Sequence, residues 1–121
     1  MSFLRAARFV PAVGWAAGIF WASSRPNLAG PPGIPYFDKA VHAGIFGVLT
    51  LLLLWAADAS PPLRLPTWVW PLIATVYGVS DELHQIFVPK RQSDGWDLLA
   101  DATGAFAVFG AWRWWTARRD S

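Results

Sequence analysis

Apolar residues are gathered into four long runs along the chain, with polar residues concentrated between them. The runs cover residues 9–22, 40–57, 65–79 and 102–112. A membrane-spanning helix needs about 20 mostly apolar residues, within a range of roughly 17–25. The second run has this length as it stands, and the others reach it by taking in neighbouring polar residues. The pattern predicts an all-α fold, an integral membrane four-helix transmembrane bundle. Its helices are expected near 3–22, 38–57, 66–88 and 96–115.

Two other interpretations fit parts of this pattern. A soluble helical bundle would bury the same apolar residues in a large core, but no predicted helix has a clear polar face. Arg5 and Arg8, followed by an apolar run, could also form a cleavable signal peptide. The "IFWASS" sequence that ends this run is too bulky for the small-residue cleavage site of such peptides. We therefore expect a true transmembrane span.

Composition supports the membrane interpretation and excludes several classes of function. The 121 residues fit one domain, which we expect to cover residues 1–121. The chain is 55% hydrophobic and 15% charged, whereas charged residues make up about 25% of an average soluble domain. The absence of cysteine excludes disulfides and thiolate chemistry. A net charge of +2 without a basic patch argues against a nucleic-acid partner.

The distribution of positive charge predicts the orientation of the bundle. With four spans, both termini lie on one side, together with six of the ten Lys and Arg residues. Positive residues favour the cytoplasmic side of a membrane, so we predict that both termini are cytoplasmic. The polar ends of the second, third and fourth helices are then expected to meet at the outer face.

The residues that meet there are carboxylates, a histidine, a glutamine and basic residues. Ionisable residues inside a membrane are costly and normally face the bundle interior, where they pair. The candidate catalytic residues are Asp38, His42, Asp81, Glu82, Gln85, Asp97 and Asp101. The candidate ligand-binding residues are Lys39, Arg91 and Asp94.

One interpretation of this set is an enzyme that hydrolyses an amphipathic lipid or transfers a group from it. Arg91 and Lys39 would hold an anionic headgroup, with Arg91 forming bidentate hydrogen bonds. One of the adjacent carboxylates at the end of the third helix would act as general base. His42 would be the acid or nucleophile, oriented by Asp38 one helical turn away.

No cofactor can be assigned from these residues. Hard oxygen ligands suit magnesium or calcium, and the carboxylates of Asp81, Glu82, Asp97 and Asp101 could hold such an ion. The chain has no spacing motif typical of a metal site, so we predict none.

A binding or structural protein is the second interpretation. The polar residues would then form an interhelical hydrogen-bond network that fixes helix register, and Asp38 and Asp94 would only cap their helices. The outer mouth of this network could bind a lipid headgroup or an antibiotic, or dock a partner protein. Transport is less favoured, because four short helices form a small pathway and no helix-breaking pair marks a midplane site.

Three blocks of sequence resemble the VanZ-like family of membrane proteins. They are "DKAVH" at 38–42, "YGVSDELHQIFVPKR" at 77–91 and "DGWDLLADATGA" at 94–105. The blocks occur in the order of the family pattern, and the whole chain is similar to the family in length and helix layout. Two residues depart from the pattern: Lys90 stands where glycine is common, and Asp101 stands where many members have asparagine.

This resemblance implies a multi-pass protein of the bacterial cytoplasmic membrane with a role in the cell envelope. The founding member of the family is associated with low-level resistance to the glycopeptide teicoplanin. The implied partners are membrane lipids, together with a lipid-linked envelope precursor or a glycopeptide. The family pattern carries over these candidate functional positions: Asp38, Lys39, His42, Glu82, Gln85, Arg91, Asp97 and Asp101.

Overall fold

In a computed structural model of the protein, the described residues form helices and turns and contain no β-strand. The structure describes residues 3–24, 37–58, 65–88 and 95–119, with the side chains of Phe37 and Asp38 outside this description. The helices are α1 (Phe3–Ala7), α2 (Val10–Ser23), α3 (Phe37–Asp58), α4 (Val69–Gln85) and α5 (Gly95–Arg119). Only a turn at Arg8 and Phe9 separates α1 from α2, so the two form one N-terminal rod. The prediction of an all-α fold is confirmed.

The helix bounds follow from local sequence. Pro11 lies in the first turn of α2, where a backbone without an N–H loses no helical hydrogen bond. In α5, Asp97 lies in the first turn and Arg118 and Arg119 in the last, so the charges at both ends complement the helix dipole.

Two of the helical rods are long and apolar enough to cross a membrane, judged by length and composition. They are Phe3–Ser23 and Lys39–Asp58. Helix α4 has 17 residues, and α5 carries two aspartates and three arginines, and neither is a candidate span by the same measure. A membrane crossing by all four rods and a cytoplasmic position of both termini therefore stay predictions.

The most extensive helix contact joins α3 and α5, which run parallel. Their contacts advance in step along both helices, from the Lys39–Asp97 pair to the contact between Ala43 and Gly104. A Cβ atom at Gly104 would overlap the backbone carbonyl of Ala43, and one at Gly47 would lie 3.3 Å from the Gly104 carbonyl oxygen. Because glycines occupy this crossing, the two backbones approach each other directly.

Apolar side chains cover the outside of the bundle, while several polar residues lie inside it. Each of the four rods exposes large apolar side chains, among them Val13, Leu51, Val76 and Phe106. The buried polar residues in the described part of the chain are Ser23, Thr50, Asp81, Glu82, Gln85, Asp97 and Asp101. An apolar exterior of this kind suits a lipid environment or a partner surface better than water.

The two ends of the bundle differ in chemistry. Helices α2 and α4 finish, and α3 and α5 begin, at one end, which we call the polar end because most of the buried polar residues lie there. At the other end the guanidinium of Arg8 lies 3.8 Å from the Trp55 ring centroid and donates to the Trp55 carbonyl at 2.8 Å. The rings of Phe9 and Trp70 pack nearby, with centroids 5.7 Å apart. Residues 3 and 119 lie at this aromatic end.

Candidate functional site

The polar end brings together most of the residues that the sequence singles out. We define the polar cluster as Ser23, Lys39, His42, Asp81, Glu82, Gln85, Asp97 and Asp101. Seven of the ten predicted site residues belong to it. Arg91 and Asp94 lie outside the described residues, as does the side chain of Asp38. The cluster draws on four helices, so it depends on the assembled bundle.

Two charged contacts join α3 to α5 within the cluster. Lys39 Nζ donates to Asp97 Oδ1 at 2.7 Å, and His42 Nδ1–H donates to Asp101 Oδ1 at 2.8 Å. Lys39 and His42 are about one turn apart on α3, as Asp97 and Asp101 are on α5, so the two contacts lie one above the other between facing surfaces of the parallel helices. Each carboxylate thus has a cationic or polar partner, which buried charges require.

His42 lies between two aspartates. Its Nδ1 is held by Asp101, which is fully buried, and its Nε2 is 3.8 Å from Asp97 Oδ2. In the neutral imidazole, a hydrogen bond donated by Nδ1 fixes the tautomer and places the lone pair on Nε2. The sequence predicted that Asp38 orients His42, and this stays a prediction because the Asp38 side chain lies outside the described residues. Among the described side chains, Asp101 is the one that forms a hydrogen bond with the ring.

A second set of contacts joins α2 to α4. Ser23 Oγ donates to Asp81 Oδ1, and Gln85 Nε2 donates to Ser23 Oγ at 3.4 Å. The neighbouring residues Ser24 and His84 also meet, with Ser24 Oγ 2.9 Å from His84 Nε2. Sequence reasoning missed Ser23, whose only signal is a pair of hydroxyl residues at the end of an apolar run.

One carboxylate oxygen of Asp101 has no hydrogen-bond donor in the described part of the chain. Its Oδ2 is buried and accepts no hydrogen bond from the described residues. This oxygen lies against α4, where a Cβ atom at Gly78 would approach it to 2.9 Å. The missing side chain at Gly78 therefore makes room for a charged group in the centre of the bundle.

One group of side chains in the cluster has the geometry to ligate a metal ion. His42, Glu82 and Asp97 each offer one ligand atom, and these atoms all lie within 4.8 Å of one another. This set differs from the four carboxylates considered from the sequence, because Asp101 contacts the imidazole of His42 instead. It also combines nitrogen with oxygen ligands, which changes the ions that would fit.

The fold and the cluster define an all-α protein with two candidate membrane-spanning helices and buried charged residues at one end. The chain belongs to the VanZ/LLP1 family, whose family model matches residues 4–116 and so nearly the whole chain. This match confirms the family that the three sequence blocks indicated. No curated protein and no solved structure matches the chain.

Proposed function

We propose that this chain is a multi-pass protein of the bacterial cell membrane whose polar cluster binds the headgroup of a phosphate-bearing lipid at the outer face. One observation carries the proposal: three helices deliver buried or half-buried ionisable residues to one end of a bundle with an apolar exterior. Each charged residue inserted at the centre of a membrane helix costs roughly 2.5–3.5 kcal/mol. Residues retained against that cost normally mark a functional site.

An amphipathic ligand matches both parts of this surface. Its apolar chain can lie against the exposed side chains of Val76, Val79 and Leu83 on α4, and its headgroup then reaches the polar end of the same helix. Lys39 supplies a cation at that end, and charge-assisted hydrogen bonds favour phosphate oxygens. Lys90 and Arg91, which follow α4 in sequence, lie outside the described residues.

A structural role for the cluster is the second candidate. The Lys39–Asp97 and Ser23–Asp81 contacts join side chains of different helices, as expected of a network that fixes helix register. Such a network would bind no headgroup and would show no preference for phosphate. Lipid preference therefore separates the two functions.

The experiment compares a polyprenyl phosphate with the polyprenol of the same chain length, using protein purified in detergent and native mass spectrometry. We expect wild-type protein to bind the phosphate form in preference. Lys39→Gln should lower this binding by about ten-fold, as for the loss of one charge-assisted contact of roughly 1.5 kcal/mol. The control Arg118→Gln, which removes a cation from the exposed aromatic end, should leave it unchanged.

A wild-type protein that binds both lipids equally would contradict the proposal and favour the structural role.

The same variants test a link to glycopeptide resistance. Expression of wild-type protein or Arg118→Gln in a susceptible host should raise the teicoplanin concentration needed to stop growth. Lys39→Gln should not raise it.

A further inference from the structure

We infer that the polar cluster binds one divalent metal cation through His42 Nε2, Glu82 and Asp97. The inference rests on the proposed function in one respect: the ion lies where a phosphate headgroup would meet it. Binding of the metal itself is independent of any lipid.

The spacing of the ligand atoms supports this inference. The distance of 3.8 Å between His42 Nε2 and Asp97 Oδ2 is too long for a hydrogen bond. Metal bonds of about 2.0–2.2 Å to nitrogen and oxygen put two ligand atoms of one ion up to about 4.4 Å apart. The three ligand atoms lie within 4.8 Å of one another before any ion draws them together. The spacing of this pair fits two ligands of one shared ion.

The different contacts of the two carboxylate oxygens of Asp97 also support the metal site. Oδ1 accepts from Lys39 at 2.7 Å, while Oδ2 is the oxygen nearest His42 Nε2. Lys39 therefore fixes the rotation of the Asp97 carboxylate and leaves Oδ2 directed at the proposed ion.

Asp101 provides an independent observation. A histidine that binds a metal normally donates its other ring N–H to a carboxylate, which orients the ring and raises its basicity as a ligand. Asp101 Oδ1 holds this position on His42, and Asp101 is completely buried with no hydrogen-bond donor to Oδ2 among the described residues. A carboxylate in that situation is strongly disfavoured unless positive charge lies nearby. A cation on the far side of the imidazole supplies that charge.

The ligand types indicate which ions fit. One imidazole nitrogen with two carboxylate oxygens suits Mn²⁺, Fe²⁺ or Zn²⁺. Magnesium and calcium prefer oxygen ligands throughout. The ion would add positive charge next to Lys39, where an anionic headgroup gains most from it.

Mn²⁺ alone, added to metal-stripped protein in detergent, is the probe. The electron paramagnetic resonance signal of free Mn²⁺ measures affinity, and pulsed measurements detect coupling to a ligating histidine nitrogen. We expect one ion per wild-type chain, with nitrogen coupling. His42→Gln should remove the coupling and weaken binding at least ten-fold, and Asp101→Asn should weaken it about ten- to hundred-fold. His84→Gln, which changes the only other histidine, should do neither.

Absence of stoichiometric binding by the wild-type protein, or nitrogen coupling that survives in His42→Gln, would overturn the inference. If His42→Gln does not fold, Asp101→Asn decides: weaker binding supports the metal site, and unchanged binding overturns it. The titration contains no lipid, so its result stands whether or not the protein prefers a phosphate-bearing lipid. A lipid preference without Mn²⁺ binding would leave the proposed function in place and remove the metal.

Discussion

Asp101 is the most deeply placed charged residue of the cluster. One of its oxygens accepts from His42 and the other lies against Gly78. The pattern that the sequence blocks resemble commonly has asparagine at this position. An asparagine oxygen could accept the same hydrogen bond from Nδ1, so it would keep the orientation of His42 without the charge. The negative charge of Asp101 is therefore not required to orient His42.

Removal of the Ser23 hydroxyl tests how much the polar contacts between α2 and α4 stabilise the bundle. Ser23→Ala removes a donor to the buried Asp81 and an acceptor for Gln85. Loss of a partner for buried polar groups costs about 1–3 kcal/mol, so we expect the free energy of unfolding in detergent to fall by that amount. The control Ser80→Ala removes an exposed hydroxyl that bonds only within α4. It should change stability by less than about 0.5 kcal/mol. Equal effects of the two substitutions would show that the Ser23 contacts add nothing.

The sequence identifies the cluster residues better than it identifies their partners. Asp81, Glu82 and Asp101 interrupt apolar runs, so their burial is visible from the chain alone. The partner of His42 is not visible, because it depends on which helices are adjacent. Asp38 lies one turn away in sequence, whereas Asp101 reaches the ring through the parallel packing of α3 on α5.

Among the helices, the predicted ranges lie within a few residues of the observed bounds. Charges and prolines near the helix ends supply those limits. The contact between α3 and α5 was not predictable in the same way. Gly104 falls on the same stripe as Asp97 and Asp101, which indicates a close helix neighbour, but nothing in the sequence says that the neighbour is Ala43 on α3.

Two glycines of α5 give a matched test of this helix contact. Gly104→Ala places a methyl group against the Ala43 carbonyl, which is backbone and cannot turn aside. Overpacking of this kind costs typically about 1–3 kcal/mol, and the unfolding free energy in detergent should fall accordingly. Gly110→Ala introduces the same methyl group where, apart from the adjoining helix backbone, no atom of the described residues lies within 4 Å. Alanine is favoured over glycine in a helix, so this variant should be as stable as wild type or slightly more so. A Gly104→Ala protein of wild-type stability would contradict the observed contact.

At the scale of the whole molecule, the bundle buries charged residues and exposes large apolar side chains, the reverse of a typical soluble protein. Four rods were predicted from the apolar runs, and two of them are candidate spans. In the fourth rod, Asp97 and Asp101 of the cluster act together with three arginines to weaken the composition signal for membrane crossing. In the third rod, α4 is short, with 17 residues.

The natural absence of cysteine allows the orientation to be measured directly. Ala40→Cys places a thiol on an exposed position at the polar end, and Ala117→Cys places one at the aromatic end. Because positive residues favour the cytoplasmic side, a membrane-impermeant maleimide should label Ala40→Cys in intact cells. It should label Ala117→Cys only after permeabilisation. The reverse pattern would place the polar cluster on the cytoplasmic side. Labelling of both variants in intact cells would contradict a cytoplasmic position of the aromatic end.

The contact of Gly104 with Ala43 also limits how a ligand reaches the cluster. Backbone lies against backbone there, so neither a hydrocarbon chain nor a file of water molecules fits between α3 and α5. Helices α2 and α4 meet partly through the tips of side chains, such as the Tyr77 hydroxyl that donates to the Ala16 carbonyl at 2.5 Å. Lateral access between α3 and α5 is therefore closed at this level, whereas α2 and α4 meet through side chains that can turn aside. A residue without a side chain thus closes one direction of approach to the cluster.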